Sequence, residues 1–309
     1  MSVTVDQTSR ARQVRRRRDT PTAIVMLAPS LLLFVVFVFY PLGRTVFLGL
    51  YEKGFGGFSE SARTWVGWSQ YREVLGSRDF RHSLWVTVQY ALLTVPLGLL
   101  LGIGLAVLAD KAVRGIGVFR TVYSSTVATS VAVASLMWLV LLNPSIGVLT
   151  NLLPFEALKT PGLLQRPSTA LFAVSLTSVW QNLGFTFVVI SAGLQSIPQD
   201  LYESANIDGA SKWRQFREIT LPLLGPTLLF VSVVLVTGAF QSFGQIDLLT
   251  GGGPGNRTST IAYYLYGSNS PINGNEGAQA ATAVVLFVLI SVLSLFQFRS
   301  LDRRVHYGR

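Results

Sequence analysis

The chain has 309 residues, of which 50% are hydrophobic and 13% charged, with a mean hydropathy of +0.47. Soluble domains carry about 25% charged residues, so this composition excludes a soluble enzyme, a nucleic-acid-binding domain and a disordered chain. The net charge of +10 then reports where basic residues fall around membrane spans, not a nucleic-acid partner.

Seven runs carry no formal charge: 20–43, 82–109, 121–155, 167–199, 219–246, 258–275 and 277–298. A helix needs about 20 apolar residues to cross the hydrocarbon core, and six of the runs provide them. The run 258–275 holds Asn269, Pro271, Asn273 and Asn275, which do not suit lipid. The expected fold class is therefore all-α integral membrane, with six transmembrane helices.

The walk begins with a basic tail over 1–22, rich in arginine from Arg10 to Arg18. Arginines before an apolar stretch mimic a signal peptide. No small-residue cleavage pattern follows, and five more spans do, so the reading is an uncleaved first span. Span one runs from about Ala23 to Leu50, with Pro29 and Pro41, and a loop with Gly54, Gly56 and Gly57 leads to span two at 84–108. There Gly98 and Gly102 have the spacing that lets helix backbones approach closely. Span three is placed at 118–142, with Ser124, Ala128 and Ala132 on one small face. The loop 143–169 has Pro144, Pro154, Pro161 and Pro167. Spans four, five and six follow at about 170–194, 226–248 and 278–298, closing a domain over 23–298 before a basic tail at 299–309.

Catalytic chemistry has little to work with. The four lysines, Lys53, Lys111, Lys159 and Lys212, lie outside any Gly-Lys-Ser/Thr phosphate loop. There is no cysteine, so no thiolate nucleophile or metal ligand. His82 and His306 are far apart and read as surface residues. Asp247 is the only acidic residue within spans two to six. A proton-driven carrier needs more than that, so energy for uphill movement comes from elsewhere.

The segment 195–225 is the most informative. Pro198 suits a helix start, Asp200 suits its positive end and Gly209 its termination. Ser211 can cap a second short helix, which Pro222 ends or kinks. The bland alternative is a solvated loop. The segment resembles the EAA loop of permease subunits in binding-protein-dependent ABC importers. That pattern is Glu-Ala-Ala, three residues, Gly, nine residues, Ile-x-Leu-Pro. Here it reads Glu203, Ser204, Ala205, Gly209, Ile219, Leu221 and Pro222, with both spacings intact and Ser204 replacing the usual alanine. Gly193-Leu-Gln-Ser-Ile-Pro198 leading into Ile207-Asp-Gly-Ala210 is similar to the sugar and glycerol-phosphate branch, as are Leu249-Thr-Gly-Gly-Gly-Pro254 and Tyr40-Pro41.

The resemblance implies a type I ABC importer permease fold in the cytoplasmic membrane of a prokaryote, with the chain the first of two different permeases. It implies a second permease subunit, two ATPase subunits holding ATP and magnesium, and an external solute-binding protein. No cofactor is expected on this chain. Glu203, Ser204, Ala205, Asp208, Gly209 and Ala210 would couple to the ATPase. The implied solute is glycerol-3-phosphate, a glycerophosphodiester or a sugar.

Candidates for the solute path are Trp180, Gln181, Asn182, Phe185, Gln241, Phe243, Gln245 and Asp247, in spans four and five. Amides donate and accept hydrogen bonds, as hydroxyl-rich solutes require, and rings cover apolar sugar faces. The competing reading makes several of them interhelical bonds or interfacial anchors. No span offers an arginine or lysine pocket for phosphate, which leaves that role to the partner permease. The rival classes are an integral-membrane lipid-modifying enzyme, which lacks clustered acids or histidines here, and a channel. For a channel, the glycine cluster Gly251–Gly255 would have to form the pore segment, and it lies outside a span.

Basic residues divide 16 to 8 between the two sets of segments that alternate spans separate, with Arg44 at a span end. Positive charge concentrates on the cytoplasmic side, so both termini are expected there. Reporter fusions after Leu108, Gln195 and Arg309 should read as cytoplasmic, and fusions within 55–80 and 145–165 as external; an external C-terminus would defeat this topology.

Overall fold

Apolar runs in lipid leave the backbone no partner but itself, and helices answer that demand. The structure is a computed structural model that describes residues 24–53, 63–110, 115–149 and 161–302. The tail 1–22, residues 303–309, Gly54, Gly56, Gly57, Lys111, Pro154, Lys159 and His306 lie outside the described residues.

Helix α1 (Ile24–Leu48) widens to π geometry over Val35–Phe39, just before Pro41. Proline's ring crowds the carbonyl four residues back, and the Tyr40 amide donates to Val35 O, five residues back. An antiparallel hairpin follows, β1 (Tyr51–Lys53) against β2 (Arg63–Trp65), with Glu52 opposite Thr64. The all-α expectation is corrected to this extent. The hairpin lies outside the apolar runs, and Tyr51, Thr64 and Trp65 are good strand formers. Helix α2 (Ser69–Gly76) leads into α3 (Arg78–Ala109), which Ser77 caps by accepting from the Phe80 amide.

The expected third span is two helices. Helix α4 (Ile116–Ser125) runs into a tight turn at Thr126–Ala128, and α5 (Val131–Leu141) departs at 108°. The hydroxyls of Ser124, Ser125 and Thr126 donate back to the carbonyls of Arg120, Val122 and Tyr123, and such bonds compete with the helical ladder. Thr129 then takes extended backbone, and Ser130 caps α5 by accepting from Val133 N at 3.2 Å. Ser124, Ala128 and Ala132 straddle this corner and form no common face; both alanines are exposed.

Helix α6 (Ala170–Gln195) is unbroken. Helices α7 (Gln199–Ile207) and α8 (Lys212–Leu223) form the predicted two-helix loop, and α9 (Gly225–Phe240) leaves α8 at 66°. The expected fifth span, 226–248, is corrected as well. It stops at Phe240, crosses a non-helical step at Gln241–Phe243, and resumes as α10 (Gly244–Thr250). The run judged unfit for lipid contains α11 (Ile261–Tyr266), whose first five residues are buried within the protein. Helix α12 (Glu276–Asp302) follows. By length and composition, α1, α3, α6 and α12 can each cross a membrane, and the two bent pairs raise the possible spans to six.

The core forms where α3 and α6 meet. A Cβ on Gly102 would collide with Thr186 Cγ2 and lie 3.3 Å from Ile190 Cδ1, and one on Gly98 would sit 3.6 Å from Leu235 of α9. The small residues thus serve close packing. A second cluster joins α2, α11 and α12 through Tyr71, Ile261, Tyr264 and Ala281. Helix α1 packs on α12 only through its later turns; residues 24–40 are exposed. Replacing Gly102 by Val should cost about 1–3 kcal/mol through overpacking. Thermal unfolding in detergent should report it, with Gly104→Ala, where a Cβ meets nothing within 4 Å, close to the parent.

Candidate functional site

A cavity of about 340 Å³ opens between α3, α6 and the α9–α10 step. Tyr90 and Thr94 of α3 line one wall, and Ser178, Gln181 and Asn182 of α6 another. Gln241, Ser242, Phe243 and Gln245 close it from the α9–α10 step. No lining residue carries a charge.

The polar wall is one connected network. The Tyr90 hydroxyl lies 2.5 Å from Ser178 Oγ, 3.1 Å from Ser242 Oγ and 3.3 Å from Gln245 Oε1. Ser178 Oγ also contacts Gln245 Oε1. Gln245 Nε2 donates to Gln181 Oε1 at 2.6 Å, and Gln181 Nε2 reaches Thr129 O at 3.4 Å. Asn182 Nδ2 donates to Ser178 O at 2.9 Å. Tyr90 and Gln245 are 2% and 5% exposed, so the bonds between their side chains and Ser178 stand away from water, where an unmade one is expensive.

Five of the eight expected path residues line this cavity: Gln181, Asn182, Gln241, Phe243 and Gln245. Three do not. Trp180 sets its ring against Trp138 at 5.8 Å, and Phe185 packs on Phe230 at 6.5 Å. Asp247 is half-buried on α10, its carbonyl accepting from Gly251 N at 3.2 Å. Tyr90, Ser178 and Ser242 escaped the sequence reading. Ser178, Gln181 and Asn182 stand three and four residues apart, one polar patch on a helix face, and that spacing was the available signal. Tyr90 had none, being an isolated tyrosine in an apolar span.

The second candidate is the loop of α7 and α8. Pro198 stands immediately before α7, and Asp200 lies in its first turn. The helix ends in a Schellman arrangement: Ala210 N donates to Ala205 O at 2.9 Å and Gly209 N to Asn206 O at 3.1 Å. Gly209 has φ +72°, the left-handed region that glycine enters without penalty. Ser211 then caps α8, accepting from Arg214 N at 3.3 Å. A π turn at Phe216–Thr220 precedes Pro222, as one precedes Pro41, and the helix continues to Leu223 before bending.

Glu203, Ser204, Asp208 and Gly209 are exposed on this loop, while Ala205 and Ala210 are half-buried. Ile207 and Trp213 project at 86% and 70% exposure. Glu203 also borders a cleft of about 420 Å³ shared with Asp110, Gln195 and Tyr202. The expected loop residues thus offer small side chains and two carboxylates on one accessible surface, next to the bulky apolar projections of Ile207 and Trp213. Among the described residues no group of three or more His, Cys, Asp or Glu could hold a metal ion.

Comparison with known proteins gives these sites a context. The family described as binding-protein-dependent transport system inner membrane component matches residues 94–307. The sn-glycerol-3-phosphate transport system permease protein UgpA of Agrobacterium fabrum is 36% identical over 285 residues, covering 92% of this chain and 96% of that protein. The protein of the same name from Salmonella typhimurium is 34% identical over 301 residues, covering 97% and 99%. A chain in the crystal structure of a bacterial ABC transporter involved in the import of the acidic polysaccharide alginate superposes with a TM-score of 0.78. Its identity is 23%, covering 94% of this chain and 99% of that one, and the two share the type I ABC importer permease fold. The chain belongs to the family of inner membrane components of binding-protein-dependent transport systems.

Proposed function

We propose that this permease subunit spans the cytoplasmic membrane six times with both termini inside and forms half of a translocation path. It pairs with a second, different permease, receives solute from an external binding protein, and sits on two ATPase subunits that hold ATP and magnesium. The solute is glycerol-3-phosphate or a glycerophosphodiester, with a sugar as the second reading. The names of the relatives favour the first. The neutral cavity suits the hydroxyl-bearing part common to all of these solutes, and a phosphate would take its counter-charge from the partner permease.

The observation that carries the coupling role is the loop geometry: two capped helices hinged at a left-handed Gly209, with Glu203 exposed beside it. A β-branched residue at Gly209 incurs about 1–2 kcal/mol of backbone strain and redirects the Glu203 surface relative to α8. Gly209→Val should still insert in the membrane but lower solute uptake about tenfold, with ATPase subunits dissociating or ignoring loaded binding protein. Normal uptake and normal stimulation in that variant would reduce the loop to a connector.

The cavity makes its own forecast. Gln181→Leu and Tyr90→Phe each remove a bond of about 0.5–1.5 kcal/mol. Uptake at saturating binding protein should fall severalfold in each. Phe185→Leu, away from the cavity, should transport as the parent does. Equal behaviour of all three would move the solute path off this wall.

A further inference from the structure

The loop that presents Glu203 is pinned at two levels, and the residue at the centre of the outer pin belongs to no recognised motif position. Gln215 of α8 is 3% exposed. Its Nε2 donates to Asn206 Oδ1 of α7 at 2.8 Å and to Ala210 O at 3.0 Å, beside the Gly209 joint. The Ala210 carbonyl only accepts, so the amide nitrogen faces it and Oε1 faces Lys212. Lys212 Nζ completes the cluster, donating to Asn206 Oδ1 at 3.2 Å and Gln215 Oε1 at 3.3 Å. The inner pin is Tyr202 to Thr220, hydroxyl to hydroxyl at 2.9 Å.

A glycine joint alone is free to swing. Helices of nine residues and of four residues before a π turn are too short to be stable alone, so their relative angle is set by what ties them together. A buried amide satisfied on both its oxygen and its nitrogen is a specific tie, because any other helix angle leaves those polar atoms unpaired away from water.

We infer that Gln215 is a positioning residue for energy coupling: through Asn206 and Ala210 it clamps α7 to α8, so that force on the Glu203 surface moves the loop as one rigid body. This rests on the reading that the loop meets the ATPase, and goes beyond it by naming what makes the loop a lever. Gln215 itself faces the inside of the loop and would touch no ATPase residue.

The test uses the complete importer in liposomes, with sn-glycerol 3-phosphate as the transported probe. Gln215→Met keeps the length and volume of the side chain but neither its donor nor its acceptor. ATPase subunits should still co-purify and hydrolyse ATP, while solute moved per ATP falls about tenfold, the loss of the clamp's hydrogen bonds expressed as a population ratio. Asn206→Leu should do the same, and Asn206→Asp, which retains the acceptor, should stay near the parent. The chain has no cysteine, so Gln199→Cys with Arg217→Cys gives spin labels on α7 and α8. Their distance distribution should be narrow in the parent complex and broad with Gln215→Met.

A parent-like transport ratio and a narrow distribution in Gln215→Met would overturn the inference. So would Asn206→Asp failing as badly as Asn206→Leu. Should Gln215→Met not assemble, the two variants at exposed Asn206 decide the matter. If the parent complex does not move the probe, the solute reading fails, and the label distances alone settle the clamp. If the parent chain binds no ATPase, the coupling reading fails before the clamp is reached.

Discussion

In a hydrocarbon medium every peptide group must find its partner inside the protein, and the architecture follows from how this chain meets that demand where its helices stop. Two of the expected spans are interrupted, and both interruptions are repaired by side chains from other elements. At the fifth span, Ser242 O accepts from Thr260 Oγ1 at 2.9 Å. At the third, Thr129 O accepts from Gln181 Nε2. The same Gln181 carries the cavity network onward to Gln245. The cavity wall and the repair of the broken backbone are therefore one set of hydrogen bonds, formed where two helices stop beside each other.

This explains which parts of the fold were legible. The apolar runs marked α3, α6 and α12 to within a few residues, because composition averaged over twenty positions is insensitive to detail. The loop of α7 and α8 was legible to the residue, since Pro198, Gly209 and Ser211 each have a local reason to stand where they do. The corner at Thr129–Ser130 was hidden by the same averaging: serine and threonine barely lower a hydropathy window, yet Ser124, Ser125, Thr126 and Ser130 supply competing bonds and a new cap. The position of Asp247 differs from the expected one for a related reason. It was placed at the end of one long helix, whereas the Gln241–Phe243 step puts it on a separate one. The competing interpretation of the amides as interhelical bonds was not an alternative after all, since Gln181 and Gln245 bond between helices and line the cavity at once.

The absence of charge from the cavity wall and the build of the loop belong together. The family to which the chain belongs leaves ATP hydrolysis to other subunits. Work has to arrive mechanically, which places the structural burden on stiffness. The Schellman end at Gly209, the cap at Ser211, and the ties through Gln215 and Tyr202 all remove freedom from a loop that sequence alone would allow to flex.

Helix α3 extends through the molecule, with Pro96 in its interior. Its 32 residues span about 48 Å at 1.5 Å per residue, well beyond the roughly 30 Å of hydrocarbon in a bilayer. One end is fastened by His82 to Asn256 O at 3.1 Å and by Thr87 accepting from the Ile261 amide at 2.8 Å. At the other, Arg120 donates to the terminal carbonyl of Ala109 at 2.7 Å. A rod longer than the film it crosses, and tied to protein at both rims, has little liberty to tilt when film thickness changes. Thinner or thicker lipid must adapt around it, so the composition of the surrounding bilayer becomes a mechanical load on the transporter, borne by the annulus of lipid and not by the rod.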